Sequence, residues 1–195
     1  MNSSLNYKVK LLKEAVGSWK HFILKERVFR IGLLIASISI LLMNINNNAV
    51  YIFMLASLSL AWTFYTFIPF IHKLVKIVTT LGLVLYLLSN FTSISILSLL
   101  GLGGIMLGLS IIGGKEAFCY RFNEGWILGP SFLITFILIL LNIHIILQAI
   151  ITIDGILLLI PSYHKAKQKP LEVYYHILKS LKLTEEEANK ILRTI

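Results

Sequence analysis

Residues 126–163 form one almost unbroken apolar stretch, which as a single straight helix would be about 57 Å long at 1.5 Å per residue. That is nearly twice the roughly 30 Å hydrocarbon core of a bilayer. A chain carrying such a stretch must fold it back on itself, and Asn142 with His144 is the best polar break available. Composition agrees with a membrane setting, since 57% of the 195 residues are hydrophobic and only 14% are charged. The 18 Lys and Arg against 9 Asp and Glu do not argue for nucleic acid, because the bases lie in flanks and connections around apolar runs, where anionic lipid would hold them.

Six apolar spans follow from the hydropathy pattern, over 28–43, 49–70, 74–89, 94–112, 126–141 and 145–163. The expected architecture is an all-α polytopic bundle. Several of these spans fall below the roughly 20 residues that a crossing requires, and so must recruit flanking residues or sit in thinned lipid. Threading follows from the positive-inside rule. The connections 44–48, 90–93 and 142–144 hold no Lys or Arg, while all 18 lie in or within three residues of the remaining connections and both ends. Six spans with both termini cytoplasmic account for this partition. The aromatic residues fit an interfacial belt, with Tyr51 and Phe53 toward the outer end of the second span and Trp62, Tyr65, Phe67 and Phe70 toward the inner end.

Two flanking parts complete the expected organisation. Within 1–27, Leu5, Val9, Leu12, Val16, Trp19 and Ile23 recur at helical spacing among basic residues. This reads as an amphipathic helix, either lying in the headgroup plane or packed on cytoplasmic loops. The tail, 164–195, reads as a soluble two-helix appendage. Pro170 opens its first helix, and a capping box over Thr184, Glu185, Glu186 and Glu187 opens its second.

Between the fourth and fifth spans, 113–125 crowds Lys115, Glu116, Cys119, Arg121 and Glu124 among aromatic residues. Charges at this density cannot stay in hydrocarbon, so the segment is expected to be an ordered loop at the cytoplasmic surface. Lys115 and Glu116 are expected to turn to different neighbours, because adjacent residues of a helical turn do not share a face. Glu116 would then pair with a base from the N-terminal flank, the second turn or the tail. Lys115 and Arg121 near Cys119 can lower a thiol pKa, although pairing and lipid contact are the plainer roles for these charges. The five His residues and single Cys fit no metal-ligand spacing, and no cofactor motif is present; Gly113-Gly114-Lys115 lacks the flanking residues of a nucleotide loop.

Within the spans, Asp154 is the only acid, and an intramembrane ionisable group is by default a functional hypothesis. The alternative is a protonated structural donor bonded to a hydroxyl such as Ser110 or Tyr86. Gly101, Gly104 and Gly108 recur at helical spacing on the fourth span and permit close helix packing, within the chain or between two copies.

The run Gly-Lys-Glu-Ala-Phe-Cys-Tyr at 114–120, followed by Glu124-Gly125-Trp126 at the head of an apolar span, resembles an uncharacterised integral membrane protein family of cyanobacteria and related bacteria, defined as a domain of unknown function. The resemblance implies a multi-pass fold in a bacterial inner membrane or a cyanobacterial or plastid membrane. It transfers no catalytic residue. Three functions are expected in order: a non-enzymatic scaffold or assembly partner of a membrane complex, a small transporter or channel component using Asp154, and a membrane-face enzyme using 115–124.

Overall fold

The computed structural model describes residues 19–64, 69–92, 94–120, 123–141 and 143–167. Six α-helices and no strand make up these residues: α1 Trp19–Leu42, α2 Ala49–Thr63, α3 Pro69–Thr92, α4 Ser95–Tyr120, α5 Asn123–Leu140 and α6 His144–Lys167. The chain divides into two units. One is residues 28–166; the other, 1–27 with 167–195, is described only at 19–27 and 167, where it is helical. The expected amphipathic helix therefore lies outside the described residues up to position 18, and the expected two-helix tail lies outside them from 168 onward.

Local chemistry sets the helix ends. After α1 the Asn44–Asn48 region turns, and the Asn48 N–H donates to Asn46 Oδ1 at 2.9 Å, an Asx turn that gives the backbone an alternative to helix. The second span, expected over 49–70, is cut short. Phe64 leaves the helix with φ −52° and ψ 131°, and Pro69 stands at the first position of α3, where its missing N–H costs no hydrogen bond. The segment expected as a loop over 113–125 is instead helical through Tyr120 and again from Asn123. Nothing in Lys115-Glu116-Ala117 breaks a helix, so α4 carries its charges past the apolar run rather than ending at it. Helix α6 likewise runs beyond 163 to Lys167. The break between α5 and α6 falls at 141–143.

Three helical segments, Phe70–Thr92, Ser95–Glu116 and Ile146–Lys167, are long and apolar enough to cross a membrane, while Ala49–Thr63 and Gly125–Leu140 are apolar but shorter. Within 28–166 the outer surface is as apolar as helices in lipid require, and the apolar core also takes in hydroxyl side chains. Outward faces carry large apolar side chains, such as Ile31, Leu34 and Ile38 on α1 and Ile77, Leu81 and Val84 on α3. Ser37, Ser57, Ser131, Thr135 and Ser162 are buried inside. A soluble protein rarely exposes so much contiguous apolar surface. The four serines donate within their own helices, as Ser57 Oγ does to Phe53 O at 2.7 Å and Ser162 Oγ to Leu158 O at 2.9 Å.

Helix α4 is central, packing along α3 and α5 and touching α2. Glycines allow this. A Cβ at Gly101 would lie 2.6 Å from the Tyr86 backbone nitrogen and 2.7 Å from Gly82 O, so the α3 and α4 backbones meet almost without side chains between them. Gly104 faces Val78 O and Gly82 Cα on the same helix, and Gly108 faces Thr79 Oγ1.

Candidate functional site

Each long helix turns a stripe inward, and two of these stripes end in charge. On α4 the buried residues Ile105, Leu109, Ile112 and Glu116 follow helical spacing; on α6 Ile151, Asp154, Leu158, Ser162 and Lys165 do the same. The stripes bring Glu116, 3% exposed, against Lys165, 1% exposed. Lys165 Nζ stands 3.0 Å from Glu116 Oε2, and Lys115 Nζ donates to Glu116 Oε1 at 2.7 Å. One carboxylate thus sits between two ammonium groups from different helices. Two aromatic faces complete the knot: Lys115 Nζ lies 5.3 Å from the Phe64 ring centroid and Lys165 Nζ 5.3 Å from that of Phe29. Such ring faces attract cations and help to compensate for lost water. Lys115 of α4 and Lys165 of α6 therefore converge on one carboxylate, with Phe64, the residue after α2, and Phe29 of α1 behind the two ammonium groups.

The expectation that Lys115 and Glu116 would turn apart is overturned by their 2.7 Å contact. Adjacent positions differ by about 100° around a helix, but both side chains are long, and burial of Glu116 makes any reachable cation a strongly favoured partner. The expectation that Glu116 pairs with a base from the N-terminal flank, the second turn or the tail is met by Lys165, which falls within the expected tail 164–195. It stands on the inner face of α6, at the eleventh position after Asp154, which returns to nearly the same helical angle. That spacing marks Lys165 as inward-facing but does not name its partner.

Asp154 is fully buried, and its Oδ2 accepts from Thr135 Oγ1 of α5 at 2.6 Å. Ser131, one turn earlier on α5, is the other hydroxyl beside the carboxyl. Oδ1 has no hydrogen-bond partner. The partners expected from sequence are engaged elsewhere: Ser110 Oγ donates to Gly129 O at 2.7 Å, and Tyr86 stacks edge-on with Tyr51 at 5.9 Å. Thr135 and Ser131 were missed, although their four-residue spacing among apolar neighbours marks a polar stripe on α5.

Of the other candidates, Cys119 lies in the last turn of α4 and Glu124 in the first turn of α5, while Arg121 lies outside the described residues. Gly101, Gly104 and Gly108 lie together on the α3 side of α4. Beside Glu116 a void of about 10 Å³, bounded by Leu109, Ile112, Gly125, Leu158 and Pro161, is the size of a single water. Among the described residues no group of three His, Cys, Asp or Glu could hold a metal ion. Comparison of the chain with protein-family models, curated proteins and solved structures finds no match.

Proposed function

We propose that this chain is a six-span membrane protein with both termini cytoplasmic, acting as a non-enzymatic scaffold in the assembly or maintenance of a membrane complex. The observation that carries this reading is what the buried ionisable groups do. Glu116, Lys165 and Asp154 each engage another helix of the same chain, and among the described residues the void beside Glu116 is the size of one water. Chemistry or transport would require such groups to face a cavity or path. The Lys165 end of α6 and the Glu116 end of α4 come together, which agrees with the cytoplasmic placement that the distribution of Lys and Arg indicates for both. The resemblance of 114–120 to a bacterial integral membrane family supports a bacterial inner membrane or a cyanobacterial or plastid membrane as the location.

One observation favours a transporter or channel component as the second reading: the unpartnered Oδ1 of the fully buried Asp154. Reporter fusions after Asn47, Lys73, Asn123 and at the C-terminus test the threading, and should read outside, inside, inside and inside. Gentle solubilisation followed by affinity purification tests the role. A stoichiometric membrane partner is expected, whereas a lone chain stabilised by a small solute would transfer the assignment to transport.

A further inference from the structure

Among the described residues, α2 ends at Thr63 and one face of α3, bearing Ile77, Leu81 and Val84, is exposed. The two helices run antiparallel, with Tyr51 beside Asn90 and Tyr86 at one end and Trp62 beside Thr80 at the other. Where α2 stops, an open groove of about 480 Å³ is lined by Trp62 and by Lys73, Lys76, Ile77, Thr80, Leu81 and Val84 of α3. All six α3 residues fall on one stripe of that helix, with both lysines at one end and the three apolar side chains, with Thr80 among them, leading away. Trp62 forms the side wall. Its Nε1 donates to Thr80 Oγ1 at 3.2 Å, and Lys76 Nζ lies 5.0 Å from its ring centroid.

The geometry points to a binding site for a single anionic phospholipid, its phosphate at Lys73 and Lys76 and one acyl chain along Ile77, Leu81 and Val84 against the Trp62 ring. Charge and length both select this occupant. From Lys73 to Val84 the stripe is about 16 Å long at 1.5 Å per residue, which is about half of a roughly 30 Å hydrocarbon core and so one leaflet deep. A lysine pair at the mouth of a largely apolar trough, whose one hydroxyl, Thr80, is taken up by Trp62, matches a molecule with one anionic end and one hydrocarbon end. A zwitterionic lipid would fill the trough equally well and gain less at the mouth, where each basic side chain contributes about five-fold in preference for an anionic surface. The site gives the scaffold reading a lipid dependence, and it rests on that reading only in requiring that α3 lie in a bilayer.

Trp62 provides the readout. Two single-tryptophan forms of the full chain, one keeping Trp62 and one keeping the exposed Trp126 of α5, are placed in vesicles of phosphatidylcholine into which brominated phosphatidylglycerol or brominated phosphatidylcholine is titrated. Bromine quenches indole on contact. The Trp62 form should be quenched at severalfold lower mole fraction by the phosphatidylglycerol than by the phosphatidylcholine, and Lys73→Gln with Lys76→Gln should abolish that difference. The Trp126 form should show no headgroup preference. Equal quenching of Trp62 by both lipids would reduce the groove to ordinary annular contact and overturn the proposal. So would a preference that survives the double substitution, or protection of Trp62 from both lipids as a covering second copy or partner helix would give. Failure of either lipid to quench Trp126 would instead remove the bilayer placement itself.

Discussion

Replacing Glu116 with Gln removes the carboxylate between Lys115 and Lys165 while nearly preserving its shape. At the 3.0 Å Lys165–Glu116 separation, the gross Coulomb attraction is about 5 kcal/mol for an effective dielectric constant of roughly 20. Desolvation of both groups offsets much of it, so the net worth of the pair is far smaller. Losing one member is a different matter, because the other's desolvation remains. With Lys165 at 1% exposure, Glu116→Gln should destabilise by about 3–5 kcal/mol. Lys115, whose side chain keeps 14% of its surface, can turn outward and contributes less to this penalty. Lys165→Met should cost only about 0–2 kcal/mol, since Glu116 retains Lys115 and an unbranched apolar chain fills the space. Adding Lys165→Met to Glu116→Gln should then restore part of the loss, giving a coupling of about 2–3 kcal/mol. Reversible unfolding in mixed micelles, with anionic detergent raised against a nonionic background, measures all four proteins. A double variant no more stable than Glu116→Gln alone would show that the two charges do not depend on each other, and the reasoning from burial would fail.

Gly101→Leu should destabilise by at least the 1–3 kcal/mol, roughly, of an overpacked core, because a side chain there meets α3 backbone at 2.6–2.7 Å and backbone cannot swing aside. Gly114→Leu, with nothing within 4 Å of its Cβ position, is the matched control and should unfold near the wild-type midpoint; equal loss in both would mean that generic effects rather than the α3–α4 contact are being measured. At Asp154, Asn keeps an acceptor for the Thr135 hydroxyl and should cost under about 1 kcal/mol, whereas Leu strands a buried hydroxyl and should cost about 1–3 kcal/mol. A transport role would make Asn as damaging to activity as Leu while leaving its thermal midpoint unchanged.

How much of this protein was legible in its residues differs from one feature to another. Apolar run lengths and polar breaks place six helical segments, because hydropathy and periodicity are properties of each segment taken alone. They place the end of α2 badly, since nothing local distinguishes a span over 49–70 from a helix that stops at Thr63 until Pro69 is assigned to the next helix. Sequence alone makes the charges after Ile112 a loop, because a lone charged side chain is costly in hydrocarbon. Tertiary structure changes that cost by presenting Lys165 to Glu116 inside the bundle.

Sequence by itself determined that the chain is helical and of membrane type, where polarity interrupts its apolar runs, and that Asp154 stands within one of them. Only the tertiary structure decided which faces meet. That Thr135 rather than Ser110 or Tyr86 bonds Asp154, that Gly82 lies opposite Gly101, and that Lys165 closes on Glu116 all depend on the rotation of each helix about its axis and on the distance between axes. Those quantities are fixed by contacts between residues far apart in the chain, so neither composition nor period encodes them. Glycine is what lets α3 and α4 come close enough to set them.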